Sequence, residues 1–198
     1  MAALPEGTVT LLFTDIEGST QLLKLLKERY ADVLDDHNRL LRAAFDDAGG
    51  KEIDTQGDAF FVAFGRAQDG VAAAVGAQRS LAAHRWPDGA DVRVRMGLHT
   101  GEPSVGGERY VGLGVHRAAR ICAAAHGGQV LVSAVTRDLV EDELPADAPV
   151  VDRVFPLRRA CRADALLPAG AGVRRDDRAV RAGDLPGLRP ARPKTMNA

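Results

Sequence analysis

Asp15 closes the apolar run Thr8-Val9-Thr10-Leu11-Leu12-Phe13-Thr14 and is followed at once by Ile16-Glu17-Gly18-Ser19-Thr20, a glycine turn and a helix start. Asp58 stands behind Gly57 and before a second apolar run, Ala59-Phe60-Phe61-Val62-Ala63-Phe64. Two aspartates at the ends of neighbouring strands offer hard oxygen donors suited to one or two divalent cations. The free amides of an adjacent helix start suit the anion that such cations carry. Together these residues describe a nucleotide phosphate site. Either aspartate alone says less, because an acid before a helix is often only its cap.

The elements that must position this pair are legible in the periodicity. Thr8 to Thr14 reads as a strand. Ser19 or Thr20 can cap the helix that follows, in which Leu22, Leu23, Leu25 and Leu26, then Val33, Leu34, Leu40, Leu41 and Phe45, recur at helical spacing until Ala48-Gly49-Gly50 stops the pattern, so one long helix, broken or continuous, is expected. Residues 51–56 and 58–64 read as a hairpin turning at Gly57, with Asp58 at its tip. Residues 67–84 form an Ala-rich helix able to approach a sheet closely. In residues 91–100, Val92, Val94, Met96 and Leu98 alternate with Arg93 and Arg95, the pattern of a half-buried strand. A helix over 114–125, a strand over 129–133 and a short helix over 134–140 complete the body. The order β-α-β-β-α-β predicts an α+β, ferredoxin-like sheet of the split β-α-β kind, rich in antiparallel pairing, with helices on one face.

A chain of 198 residues with 45% hydrophobic content can bury one sizeable core. No stretch has the apolar length needed to span a bilayer, and the first residues lack a signal-peptide pattern, so a cytoplasmic location without membrane attachment is expected. Cys122 and Cys161 have no metal-type spacing and read as buried free thiols. Charge is uneven. Before residue 153 there are 15 Lys+Arg against 23 Asp+Glu, about −8; from Arg153 on there are 11 against 4, about +7. This divides a domain over residues 7–152 from a basic Ala/Arg/Gly/Pro-rich extension over 153–198, expected to be poorly ordered and to leave one sheet edge unpaired. The extension lacks interleaved aromatic residues, so it is not read as a nucleic-acid binder.

Four segments in order, TVTLLFTDIEGST, GGKEIDTQGDAFFVAF, VRVRMGLHTGEP and VHRAARI, resemble the catalytic domain of class III adenylate and guanylate cyclases. Polymerase palms and diguanylate cyclases share a two-carboxylate sheet, but the last two segments set this chain apart from them. The resemblance implies a homodimer with composite active sites and a nucleoside triphosphate substrate closed to a 3′,5′-cyclic nucleotide with loss of pyrophosphate. It implies Asp15, Asp58 and the carbonyl of Ile16 as ligands of two Mg2+ or Mn2+ ions, with phosphates resting on the amides of Glu17, Gly18, Ser19 and Thr20. Arg120 matches the arginine that stabilises charge on the transferred phosphate. His116, four residues earlier and on the same helix face, stands where the family has the asparagine that orients the ribose.

The base-reading positions depart from the family. Asp54 replaces the lysine that reads adenine, and Arg109 falls at or near the aspartate that completes that reading. An acid can accept from the N1 and N2 donors of guanine and an arginine can donate to O6, which favours GTP; alternatively, Asp54 and Arg109 pair with each other across the subunit groove. Two functions follow. One is a metal-dependent nucleotidyl cyclase making cyclic AMP or cyclic GMP. The other is a cyclase-homology module that binds nucleotide or only dimerises. Among the remaining histidines, His99 is expected to be structural with a backbone partner, and His37, His84 and His126 to face solvent.

Overall fold

In the computed structural model of the chain, residues 4–87, 89–107, 109–143, 150–151 and 163–166 are described. The elements run β1 (Val9–Ile16), α1 (Ser19–Leu26), α2 (Tyr30–Asp47), β2 (Lys51–Gln56), β3 (Ala59–Phe64), α3 (Ala67–Ala83), β4 (Val94–Gly101), β5 (Ser104–Gly106), β6 (Arg109–Val111), α4 (Leu113–Ala124), β7 (Val130–Ser133), α5 (Ala134–Val140), β8 (Val150–Val151) and β9 (Ala163–Leu166). The main sheet has the order β2-β3-β1-β4-β7-β9-β8, and β5-β6 form a separate small hairpin. β4 and β7 run parallel and the other pairs antiparallel. α4 lies in the crossover that a parallel pair requires.

The helical pattern between Ser19 and Asp47 breaks at Lys27, which takes φ 51, and a single 3-10 turn links α1 to α2. The cap of α1 is Gly18 at φ 70, with no side-chain cap, so neither Ser19 nor Thr20 plays the expected capping part. α2 buries Val33, His37, Leu41 and Phe45, a strict four-residue stripe. His37 is therefore a core residue, contrary to the expectation of a solvent-facing one. Its ring lies 6.0 Å from that of Phe60.

The core has two sides. On one, α2 and α3 pack over Leu12, Ile16, Met96 and Leu98. α3 comes close because it presents Gly70, where a Cβ would stand 3.0 Å from Thr10 Cγ2. The other side is covered by α4, so the helices are not all on one face. At Gly97 a Cβ would fall 2.1 Å from the backbone nitrogen of Cys122, and only glycine admits α4 at that distance. This second layer also explains why β4 is buried on both faces from Met96 to Thr100, where alternation alone predicts half burial. β4 begins at Val94, not Asp91, its start held by Gln78 Nε2, which donates to Val94 O at 2.7 Å.

β9 pairs with β7 from Ser133↔Ala163 to Val130↔Leu166. The sheet thus draws on residues beyond the expected boundary at 152, and β7 is not an open edge. The other expectations for 153–198, and Cys161, lie outside the described residues. Cys122 is a buried free thiol, its pKa pushed up to about 12 by burial.

Candidate active site

β1 and β3 pair with Thr14 opposite Phe60. Two steps further along each strand, that register brings Asp58 opposite Ile16. Asp58 Oδ2 accepts a hydrogen bond from the Ile16 backbone N–H at 3.0 Å, so its carboxylate is fixed one residue from Asp15. Gly57 at φ 63 makes the turn that delivers it there. Both carboxylates act on the same neighbours. Tyr30 is raised in pKa by burial and then by Asp58 and Asp15, while His37 is lowered by burial against the opposing pull of those two acids.

The partner of Asp15 on the other side is Arg95, directly opposite it in the β1-β4 register. Arg95 Nε donates to Asp15 Oδ2 at 2.8 Å, and a second guanidinium nitrogen bonds the same oxygen. Two residues on, Glu17 repeats the arrangement with Arg93: the side chains meet at 3.1 Å, and the Glu17 N–H donates to Arg93 O at 2.8 Å. A double acid-base rung thus crosses the end of the sheet. Alternation alone marks Arg93 and Arg95 only as the polar side of a strand; the usable signal is the matched two-residue spacing of acids at 15 and 17 and arginines at 93 and 95. Because the Glu17 amide donates to Arg93 O, the amides expected to take phosphate are left as those of Gly18, Ser19 and Thr20, at the start of α1.

The donor set fits a divalent cation of the Mg2+ or Mn2+ type. It consists of carboxylate oxygens, it stands at a sheet end and not in the core, and Arg95 directs both its hydrogen bonds to Oδ2 of Asp15, not to the second carboxylate oxygen. Among the described residues no group of three or more His, Cys, Asp or Glu side chains converges. A cation here would complete its shell with backbone and phosphate oxygens.

His116 and Arg120 are both exposed on α4, on the side turned away from the buried Ala118, Ile121 and Cys122. Asp54 is exposed on the edge strand β2. Its Oδ1 accepts from Thr55 N and its Oδ2 from Gln56 Nε2, each at 3.0 Å, so its own strand orients it. Arg109 is exposed at the start of β6. Exposed apolar residues stand beside these charged ones: Val105, Val111 and Leu113 are exposed, and Phe13 stacks on Phe61 at 4.3 Å on the sheet face that α4 covers. His99 is buried, and its partner is a side chain, Ser133 Oγ at 3.0 Å, not the expected backbone group. His126 is exposed beside Glu17, and His84 is half-buried beside Asp36.

A mixed sheet with α2 and α3 on one face and α4 on the other is consistent with the nucleotidyl cyclase fold. Residues 1–149 match the family model of the adenylate and guanylate cyclase catalytic domain, and the chain belongs to that family. It is 43% identical over 150 residues to an uncharacterised protein of Mycobacterium tuberculosis, covering 75% of this chain and 50% of that protein, so the chain spans half the length of that relative. An adenylate cyclase of Podospora anserina is 33% identical over 154 residues, 65% of this chain and 7% of its own length. Among solved structures, an adenylate cyclase of Trypanosoma brucei in its monomeric state has a TM-score of 0.72 at 25% identity, covering 83% of this chain and 91% of that one. An adenylate/guanylate cyclase/hydrolase from Silicibacter pomeroyi superposes with a TM-score of 0.70 at 21% identity, covering 82% and 97%, which speaks for the fold.

Proposed function

We propose that this protein is a metal-dependent nucleotidyl cyclase that acts as a homodimer on ATP or GTP. The observation that carries the proposal is the hydrogen bond from Ile16 N to Asp58, which brings two carboxylates to one sheet end. Asp15, Asp58 and the carbonyl of Ile16 would hold two Mg2+ or Mn2+ ions. The chemistry such ions supply is activation of the ribose 3′-hydroxyl and neutralisation of the pyrophosphate leaving group. The 3′-oxygen then bonds to the α-phosphorus, the bond from that phosphorus to the β-phosphate oxygen breaks, and the hydroxyl proton is released.

The residues of the chain divide this work. Asp58 is oriented before substrate arrives, because its hydrogen bond to Ile16 fixes one oxygen. Arg95 neutralises Asp15 in the free protein; once a cation takes over that charge, its guanidinium is available to phosphate oxygens. The first amides of α1 receive the remaining phosphate charge. Arg120 and His116 come from the partner subunit's α4, the arginine to phosphate and the histidine to ribose. The exposed apolar residues around α4 support a subunit interface on this face. Asp54, accepting only, favours guanine over adenine.

The second reading, a homology module that binds nucleotide or only dimerises, draws on His116 standing where the family has asparagine, and on Asp54. Mixing separates them. Asp58→Ala and Arg120→Ala damage different halves of a composite site, so each alone makes no cyclic product with Mn2+ and nucleotide, and the mixture regains part of the wild-type rate. A mixture as silent as its parts contradicts the composite site.

A further inference from the structure

Eight polar or charged residues are buried among the described residues, and five of them form one hydrogen-bonded chain. Thr10 Oγ1 on β1 meets Thr100 Oγ1 on β4 at 2.9 Å. Thr100 Oγ1 meets Thr136 Oγ1 in the first turn of α5 at 3.0 Å. Thr136 Oγ1 meets Ser133 Oγ, the cap of α5, at 2.9 Å, and Ser133 Oγ meets His99 Nδ1 at 3.0 Å. All five residues are 5% exposed or less. Thr100 and His99 are neighbours on one strand and point to opposite faces, so the chain passes from the α3 side to the α4 side around the end of β7.

Counting protons gives one direction in which every link is filled and no hydroxyl proton is left over. The chain has four hydroxyls and four links. If His99 Nδ1 is bare, the four hydroxyl protons fill the four links: Thr10 donates to Thr100, Thr100 to Thr136, Thr136 to Ser133 and Ser133 to Nδ1. Ser133 also accepts the Thr136 N–H at 3.3 Å, so both its lone pairs are used. If Nδ1 carries a proton, five protons compete for four links and the Thr10 hydroxyl must find an acceptor elsewhere. The matched arrangement puts the imidazole proton on Nε2.

At the far end, the imidazole lies under the first turn of α4. A Cβ at Gly114 would stand 3.7 Å from His99 Cδ2, and Arg117 of the same helix is close enough to act on the ring electrostatically. We propose that His99 is a positioning residue for α4, held as its Nε2–H tautomer by the hydroxyl chain that begins at Thr10. The α4 helix carries His116 and Arg120, so the catalytic consequence rests on the cyclase reading above, while the tautomer and the helix placement do not.

The test is long-range 1H–15N NMR of the histidine rings on the full chain uniformly labelled with 15N, with the backbone amide shifts of α4 read from the same sample. Wild-type His99 is expected to show a protonated Nε2 and a bare Nδ1. Ser133→Ala removes the donor to Nδ1, so it should change the tautomer signal and shift the amides of Gly114 to Arg120. Thr10→Val shortens the chain but keeps protons and links matched, so it should leave the tautomer as it was. In activity, Ser133→Ala should lower kcat about fivefold, the effect of one hydrogen bond of about 1 kcal/mol. KM should change less than kcat, because Asp15 and Asp58 lie at the other end of β1. His99→Asn, which keeps an acceptor near the Nδ1 position, should retain more turnover than His99→Leu. A protonated Nδ1 in the wild type, or α4 amides unmoved by Ser133→Ala, overturns the proposal. Absence of cyclic product from the wild type, with the NMR result as expected, overturns only the cyclase reading.

Discussion

Arg95 stands directly opposite Asp15 across β1 and β4, and its Nε donates to Asp15 Oδ2 at 2.8 Å. A cation binding at Asp15 must compete with a guanidinium already in place. Arg95→Ala removes that competitor. Without nucleotide it should bind Mn2+ more tightly than the wild type, by several-fold, as measured calorimetrically. Since both side chains are about one-third exposed, the stability cost should be small, about 0.5–1 kcal/mol. Product formation should nevertheless fall, because the guanidinium is lost from the phosphates. Unchanged Mn2+ affinity would show that the pair does not gate the cation.

His37 is buried, and burial holds its pKa below the ordinary 6.5. The folded protein therefore binds fewer protons at this residue than the unfolded chain between the two values, and stability rises with pH across that window. Read downward, stability is full above 6.5 and is lost as the pH falls toward the lower folded value. His99 is shifted the same way, by burial and then Arg117, and adds to the slope. Denaturant titrations of His37→Phe should show a shallower loss between pH 6.5 and 5 than the wild type. An identical slope in the two proteins would mean that His37 is not held neutral by the fold.

A chain ending at Asp152 lacks β9 and uncovers the edge of β7 over Val130 to Ser133. Losing those ladder bonds, at about 1 kcal/mol each, should cost roughly 2–4 kcal/mol. The exposed edge should also promote self-association. Thermal unfolding and light scattering read both effects, and an unchanged Tm would show that β9 adds nothing to the sheet.

Much of this was legible in the sequence because periodicity reports burial. The strand leading to Asp15, the hairpin presenting Asp58 and the Ala-rich α3 follow directly from apolar spacing, and the glycine turn at 57 marked the tip correctly. What periodicity misses is which faces are covered twice. β4 reads as half-buried until α4 lies against Gly97, and nothing local to residues 91–100 announces that helix. His37 was legible in principle, since Val33, His37, Leu41 and Phe45 form one stripe, but a polar residue type outweighed its position. Arg95 was hidden because ion pairs between strands depend on register, which only the folded sheet sets. β9 was hidden for a simpler reason: four residues of ordinary composition, Ala163 to Leu166, pair with β7 from within a stretch whose average reads as a tail.

The central claim is that Asp15 and Asp58 together hold the cations that carry a triphosphate. Formation of cyclic nucleotide from ATP and from GTP, with Mn2+, should be measured for the wild type, Asp15→Asn, Asp58→Asn and the double variant. The wild type should form product, faster from GTP; each single variant should lose on the order of 10²–10³ in kcat, and the double variant little more than either, because the pair acts as one site. Single variants that keep wild-type turnover would contradict the account.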